Sequence, residues 1–161
     1  NEQFVVKMHD PQSVFAWHQD SGYGIYRSDA GSHTPYVTCW IALDDMTEAN
    51  GTISILPFER AGGSTLVEHV WNESEAALVG YEGNDSGVLI EISAGSVVCF
   101  SSVALHRSGP NTTDKPRRAY VVQFCPSHAV DDTGQKWGDN IEVICDGKLI
   151  DLPDSDRTGS A

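Results

Sequence analysis

The sequence is poor in basic residues, and it has no long apolar run. It contains 10 Lys and Arg against 23 Asp and Glu, which gives a formal net charge of −13 at pH 7. Non-specific binding to nucleic acid or to an anionic membrane needs a basic surface, so this composition argues against both partners. No apolar run approaches the roughly 20 residues of a membrane span, and no signal peptide is visible. We therefore expect a cytoplasmic protein with small-molecule partners.

The chain also lacks a disulfide framework, internal repeats and low-complexity segments. Its four cysteines are scattered, and three of them lie in apolar runs, which predicts buried free thiols in a reducing compartment. They are Cys39, Cys99, Cys125 and Cys145. The length of 161 residues predicts a single domain, and no particular oligomeric state is predicted. The first residue is Asn1 rather than Met, so we expect a fragment or a processed chain.

Short β-branched and aromatic runs separated by Gly, Asn and Asp clusters predict many short strands and little helix. The predicted strands are residues 4–8, 14–20, 36–43, 52–56, 88–92, 96–100, 105–106, 118–125, 141–145 and 148–152. One short helix is predicted at residues 73–79, and residues 21–35 are predicted to form a loop. This pattern is typical of an all-β sandwich or barrel.

These elements predict one core with a C-terminal addition. Residues 1–130 are expected to form the core. Residues 131–152 are expected to form a hairpin packed on that core, with Asp146-Gly147 at its turn. Residues 153–161 are expected to be a flexible tail.

The most informative residues are a His-x-Asp pair and a distant histidine. His18 and Asp20 lie in WHQD, and His106 lies in ALHRSGPN. Side chains alternate along a strand, so His18 and Asp20 are expected on one face. Two imidazoles and one carboxylate on one face of an octahedral ion form the facial triad of non-haem Fe(II) oxygenases. Arg117 follows His106 by eleven residues and is placed to bind the carboxylate of a cosubstrate.

Each of these residues has a plainer interpretation. His18 and Asp20 could form a surface hydrogen bond at a strand end, and His106 alone could be a core histidine. Arg117 could be a surface cation, with Arg118 in its place as the anion-binding residue. The remaining histidines are expected to be exposed or in loops; they are His9, His33, His69 and His128.

The ordered set of motifs resembles the phytanoyl-CoA dioxygenase family. The matching stretches are FAWHQD, TCWIALDDMTEANGTISILP and AGSVVCFSSVALHRSGPNTTDKPRRAYVVQF, with a looser match in FVVKMHDP. The resemblance implies an all-β double-stranded β-helix, that is, a cupin-like jelly-roll barrel with few short helices. It also implies an Fe(II)- and 2-oxoglutarate-dependent dioxygenase that consumes O2.

The resemblance assigns catalytic and metal-binding roles to His18, Asp20 and His106, and it implies that Arg117 binds the distal carboxylate of 2-oxoglutarate. It also implies that three further residues line the same cosubstrate pocket; they are Lys7, Trp40 and Ser108.

The implied reaction hydroxylates an aliphatic C–H bond of a small molecule and releases succinate and CO2. Related halogenases lack the carboxylate that Asp20 supplies, so its presence favours hydroxylation or desaturation. The family often has Pro-Gly-Ser-His after the Asn-Gly strand, where this chain has residues 57–60 as PFER. That departure concerns the substrate side of the pocket. Two alternatives stay open: a non-redox cupin-type metalloenzyme, which Arg117 argues against, and a catalytically silent binding module, which the intact triad argues against.

Overall fold

The computed structural model describes residues 2–24, 27–28, 33–126, 128–130, 133–135 and 141–150, and the regular secondary structure of these residues is mainly β. The strands are β1 Glu2–Lys7, β2 Phe15–His18, β3 Arg27–Ser28, β4 Val37–Ala42, β5 Ile53–Ile55, β6 Val70–Asn72, β7 Ala77–Val79, β8 Val88–Leu89, β9 Val97–Ser101, β10 His106–Ser108, β11 Arg117–Phe124, β12 Ala129–Val130, β13 Ile144–Cys145 and β14 Lys148–Leu149. The helical segments are α1 Phe58–Ala61 and the 3₁₀ turns Asp20–Tyr23 and Glu48–Asn50.

Eight of the strands form two antiparallel four-stranded sheets. The larger sheet has the order β1-β11-β4-β9, and the smaller has the order β2-β10-β5-β8. The chain crosses between the sheets repeatedly, so strands distant in sequence become neighbours. This is the jelly-roll arrangement expected of a double-stranded β-helix, and the predicted fold class is confirmed.

Strand alternation puts the core between the sheets. In the larger sheet Trp40, Ala119 and Val121 face inward and pack with Ile53 and Met46. Complete burial of a large apolar side chain stabilises a fold by about 1.5–3 kcal/mol, so this cluster holds the sheets together. A second cluster, Trp17 with Leu56 and Leu105, lies beneath α1 and the loop after it.

The outer face of the larger sheet is apolar and exposed, and it carries two of the cysteines. Phe4 is 72% exposed and Val97 is 52% exposed. Cys39 and Cys99 are register partners on β4 and β9, with sulfur atoms 3.5 Å apart. The prediction of buried thiols is wrong, because Cys99, Cys125 and Cys145 are exposed and Cys39 is half-buried. Alternation turns Cys39 away from the core that its neighbours Thr38 and Trp40 enter.

The helix predicted at residues 73–79 is also wrong, because this segment is the turn and second strand of a hairpin. Strands β6 and β7 pair directly. The Asn72 side-chain oxygen accepts hydrogen bonds from the backbone amides of Ser74 and Glu75, and Ala76 has a φ of 48°. Such an Asx turn offers the backbone an alternative to helical hydrogen bonds.

The C-terminal hairpin is present, with strands β13 and β14 joined at Asp146 and Gly147, whose φ values are 48° and 74°. Positive φ at both positions is what a tight two-residue hairpin turn requires. Residues 141–149 are all exposed, and their packing on the core stays a prediction. The predicted tail at residues 153–161 lies outside the described residues. Among those described, no helix is long and apolar enough to cross a membrane.

Candidate active site

The fold brings His18, Asp20 and His106 together at the same end of the smaller sheet. His18 ends β2 and His106 begins β10, and the two are register partners with ring centroids 4.2 Å apart. Strand β2 ends before Asp20, which begins a 3₁₀ turn. Gln19 between them keeps an extended backbone, with φ −110° and ψ 139°, so the alternation continues. One potential ligand atom from each of the three residues lies within 4.8 Å of the others.

Both histidines have their Nδ1 atoms engaged by the backbone. His18 Nδ1 lies 2.8 Å from the Ala16 carbonyl oxygen, and His106 Nδ1 lies 3.0 Å from the Ala104 carbonyl oxygen. A carbonyl oxygen only accepts, so each Nδ1 carries the proton and each Nε2 keeps its lone pair. This is the tautomer that an Nε2 metal ligand needs.

Burial favours neutral imidazole at the same site. Burial and, to a smaller extent, the nearby His106 lower the pKa of His18 to about 4. His18 is therefore neutral at physiological pH even without a metal ion, so a cation would not have to displace a proton from it.

The carboxylate of Asp20 has two different environments. Its Oδ1 lies 3.5 Å from His106 Nε2. Its Oδ2 accepts hydrogen bonds from Thr38 Oγ1 at 2.5 Å and from Gln123 Nε2 at 3.1 Å. Sequence reasoning missed Thr38 and Gln123, because they lie on separate strands of the other sheet and no motif marks them.

Arg117 lies on β11 with its side chain on the inward face of the larger sheet, and it is only 1% exposed. Its Nη2 donates to the Gly51 carbonyl oxygen at 2.7 Å. Its Nε and Nη1 are buried without a hydrogen-bond partner in the described structure. Burial lowers the pKa of Arg117 to about 10, so the guanidinium remains charged at neutral pH. A buried cation with two unpaired donors is suited to bind a carboxylate.

Arg118 points to the opposite face, as alternation requires. Its side chain is 57% exposed and is paired with Asp44, whose Oδ1 lies 2.6 Å from Arg118 Nη2. Of the two adjacent arginines, therefore, only Arg117 faces the interior.

Lys7 and Trp40 lie beside Arg117, and Ser108 is hydrogen-bonded to Lys7. Lys7 is the register partner of Arg117 on β1. Its ammonium donates to Ser108 Oγ at 2.9 Å and to the carbonyl oxygens of Ser13 and Gly109. Burial and, to a smaller extent, repulsion from Arg117 lower the pKa of Lys7 to about 8. The Trp40 ring centroid lies 5.5 Å from Arg117 Cζ.

Gln19 and His69 form a further link that sequence reasoning missed. Gln19 is 2% exposed, and its amide side chain bonds the backbone at Thr65, Val67 and Val103. Its backbone amide donates to His69 Nε2 at 2.9 Å. His69 is in a loop, as expected, but it is half-buried rather than exposed. This link anchors the chain between His18 and Asp20 to the loop beside them.

Comparison with solved structures identifies the same fold elsewhere. EvdO2 from Micromonospora carbonacea var. aurantiaca, solved in complex with 2-oxoglutarate, aligns with a TM-score of 0.60 at 22% identity and covers 84% of this chain and 58% of its own. CytC3 with Fe(II) and alpha-ketoglutarate aligns with a TM-score of 0.54 at 21% identity, over 78% of this chain and 44% of its own.

Comparison by sequence identifies the family. The phytanoyl-CoA dioxygenase of Arabidopsis thaliana is 32% identical over 125 residues, which are 74% of this chain. The chain spans 40% of the length of that relative. The family model described as phytanoyl-CoA dioxygenase (PhyH) matches residues 2–119, which include both histidines, the aspartate and the buried arginine. The chain therefore belongs to the phytanoyl-CoA dioxygenase family.

Proposed function

We propose that this chain forms the catalytic core of an Fe(II)- and 2-oxoglutarate-dependent oxygenase. The reaction proposed is hydroxylation of an aliphatic C–H bond in a small molecule, with release of succinate and CO2. The observation that carries the proposal is the cluster of His18, Asp20 and His106, whose ligand atoms lie within 4.8 Å of one another. The two solved relatives carry 2-oxoglutarate or Fe(II) with alpha-ketoglutarate, which supports the same ligands here.

The donor set fits a divalent iron ion. Two neutral imidazoles and one carboxylate are the ligands of the 2-His-1-carboxylate site, and that set leaves coordination positions open. The backbone carbonyls of Ala16 and Ala104 fix the imidazoles in the required tautomer. Bound iron and 2-oxoglutarate would supply the activation of O2 and the oxidation of the substrate. The residues of the chain supply orientation, charge and exclusion of water.

The buried cations fit the cosubstrate. Arg117 offers Nε and Nη1 to a carboxylate, and both are unpaired in the described structure. Ser108 Oγ accepts a hydrogen bond from Lys7, so its own proton is free to be donated to the same carboxylate. The three donor positions of Lys7 are all engaged, so Lys7 contributes charge and positions Ser108. Trp40 packs against the guanidinium and keeps water from it.

Asp20 supports hydroxylation rather than halogenation. A halide would need the coordination position that this carboxylate would fill, and 2-oxoglutarate would take two further positions.

On the substrate side, Tyr23 is 54% exposed and packs its ring edge-on against His18, with centroids 5.3 Å apart. The substrate is therefore expected to approach across Tyr23.

The first test is an anaerobic titration with Fe(II) and 2-oxoglutarate. We expect one equivalent of each to bind and to give a weak visible charge-transfer band that appears only when both are present. Absence of the band, together with absence of iron binding by calorimetry, would refute the proposal.

The second test identifies the reaction. The chain is supplied with Fe(II), 2-oxoglutarate, O2, chloride and a library of small metabolites, and products are read by mass. A gain of one oxygen with matching succinate is expected. A chlorinated product, or turnover without 2-oxoglutarate, would contradict the proposed hydroxylase.

A further inference from the structure

The two oxygens of the Asp20 carboxylate are separated by their surroundings. Oδ1 faces His106 Nε2 at 3.5 Å, whereas Oδ2 faces two donors from the larger sheet. Those donors are Thr38 Oγ1, at 2.5 Å, and Gln123 Nε2, at 3.1 Å. The ligand atoms of the site thus point one way, and the second carboxylate oxygen points to a different pair of side chains.

The hydrogen bonds among Asp20, Thr38 and Gln123 are mutually compatible. A threonine hydroxyl has one proton, and the short bond to Asp20 Oδ2 uses it. Gln123 Nε2 lies 3.1 Å from Asp20 Oδ2 and 3.3 Å from Thr38 Oγ1, so one N–H of the amide is shared between these two oxygens. The hydroxyl therefore donates once and accepts once, and Oδ2 receives two hydrogen bonds. A carboxylate oxygen held by two donors is less available to a metal ion.

Thr38 and Gln123 are held in place by the larger sheet. Thr38 and Gln123 are register partners on β4 and β11, the two central strands of the larger sheet. Thr38 is only 2% exposed, and it shares the buried face of β4 with Trp40 of the core. Their donor atoms thus keep a fixed position relative to the sheet.

We propose that Thr38 and Gln123 are positioning residues that hold Asp20 as a one-oxygen metal ligand. This inference rests on the proposed function. An octahedral iron ion held by three protein atoms and by two atoms of 2-oxoglutarate would have one position left. If Asp20 bound through both oxygens, it would take the sixth, which O2 requires. The hydroxyl–amide pair keeps that position open by occupying Oδ2.

The variant Thr38→Val tests the hydroxyl with little change of shape. Loss of an outer-shell partner weakens metal binding by about 10–100-fold, and we expect a loss in that range. Thr38→Ser keeps the donor and should restore affinity to within a few-fold of the parent. Gln123→Met removes the second donor without shortening the side chain, and a smaller loss is expected because its bond to Asp20 is longer.

Thr52→Val is the matched control. Thr52 is also buried, at 1% exposure, and its hydroxyl also makes one short bond, 2.6 Å to the Ile90 carbonyl oxygen. That bond lies away from Asp20, so this variant should keep the metal affinity of the parent. Comparable thermal unfolding of Thr38→Val and Thr52→Val would show that the two lose similar stability.

The experiment is an anaerobic Co(II) titration of all five proteins, followed by calorimetry and by visible absorption, whose intensity reports coordination number. Weaker binding and an altered cobalt spectrum in Thr38→Val, with neither in Thr38→Ser or Thr52→Val, would support the proposal. Affinity and spectrum unchanged in both Thr38→Val and Gln123→Met would overturn it while leaving the proposed function intact. Failure of the parent chain to bind Co(II) would overturn the proposed function as well, so the two failures are distinct.

Discussion

Replacing Arg117 by Met should separate cosubstrate binding from metal binding. The guanidinium is buried, and its Nε and Nη1 have no hydrogen-bond partner in the described structure, so under the proposed function both are available to a carboxylate. Truncating one partner of a buried, hydrogen-bonded charge pair costs about 2–5 kcal/mol. The dissociation constant of 2-oxoglutarate should therefore rise about 30- to 4,000-fold. Metal affinity should be nearly unchanged, because Arg117 contacts none of the three ligand residues.

In contrast to its effect on 2-oxoglutarate binding, Arg117→Met should change the stability of the ligand-free chain only slightly. Met removes two unpaired buried donors, whose desolvation costs about 1–3 kcal/mol each, but it also leaves the Gly51 carbonyl oxygen without its donor. The packing against Trp40 is lost too, at about 0.5–2 kcal/mol. These contributions oppose one another, so the free energy of unfolding should change by less than about 2 kcal/mol. A residue retained only for stability would show a larger loss.

The assay combines calorimetric titration with thermal unfolding. At a 2-oxoglutarate concentration 100 times its dissociation constant, binding adds about 2.7 kcal/mol to the stability of the folded state. For a chain of this size that corresponds to a rise in Tm of about 5–11 °C, which Arg117→Met should lack. Arg118→Met is the control, since Arg118 pairs with Asp44 on the outer face. Loss of 2-oxoglutarate binding in the Arg118 variant, with the Arg117 variant unaffected, would refute the reasoning.

Three further predictions concern the metal, the pH dependence and a glycine. His106→Ala should abolish stoichiometric Fe(II) binding, measured by metal analysis after desalting, whereas His9→Ala should bind like the parent; full iron content in the His106 variant would contradict the ligand assignment. Because the pKa of Lys7 is lowered to about 8, its charge is present below that pH and is lost above it. The affinity of the parent chain for 2-oxoglutarate should therefore fall as pH rises through 8. If affinity fell with pH equally steeply in Lys7→Met, Lys7 would not be the cause. Gly51 has φ +74°, and an added Cβ would lie 2.5 Å from a backbone oxygen, so Gly51→Ala should cost about 2–5 kcal/mol by denaturant unfolding; Gly62→Ala, with φ +83° and open space around it, should cost only about 1–2 kcal/mol, and equal costs would show that crowding contributes nothing.

The sequence predicted the parts of the site that depend on local periodicity or on an ordered motif. Alternation along β11 distinguishes Arg117 from Arg118, and the structure places one at 1% exposure and the other outside. The His-x-Asp spacing predicted a shared face for His18 and Asp20. That face persists although β2 ends at His18, because Gln19 remains extended.

The parts that could not be predicted depend on contacts between distant residues. Thr38 and Gln123 are 85 positions apart, and only the pairing of β4 with β11 brings them to Asp20. The error at residues 73–79 has a local cause: the Asn72 side chain stabilises a turn where the composition favoured a helix. Cys39 was assigned to the core from its apolar neighbours, although alternation places it on the outer face.

The division of the site between two sheets has a mechanical consequence. His18 and His106 belong to the smaller sheet, whereas Arg117 and Lys7 belong to the larger one. A cosubstrate that contacts both the metal and the guanidinium would form a bridge between the two sheets. Any motion that separates the two sheets would then have to break the contacts of the bound cosubstrate. Amide hydrogen exchange in β10 and β11 would slow together on binding, although the two strands lie in different sheets.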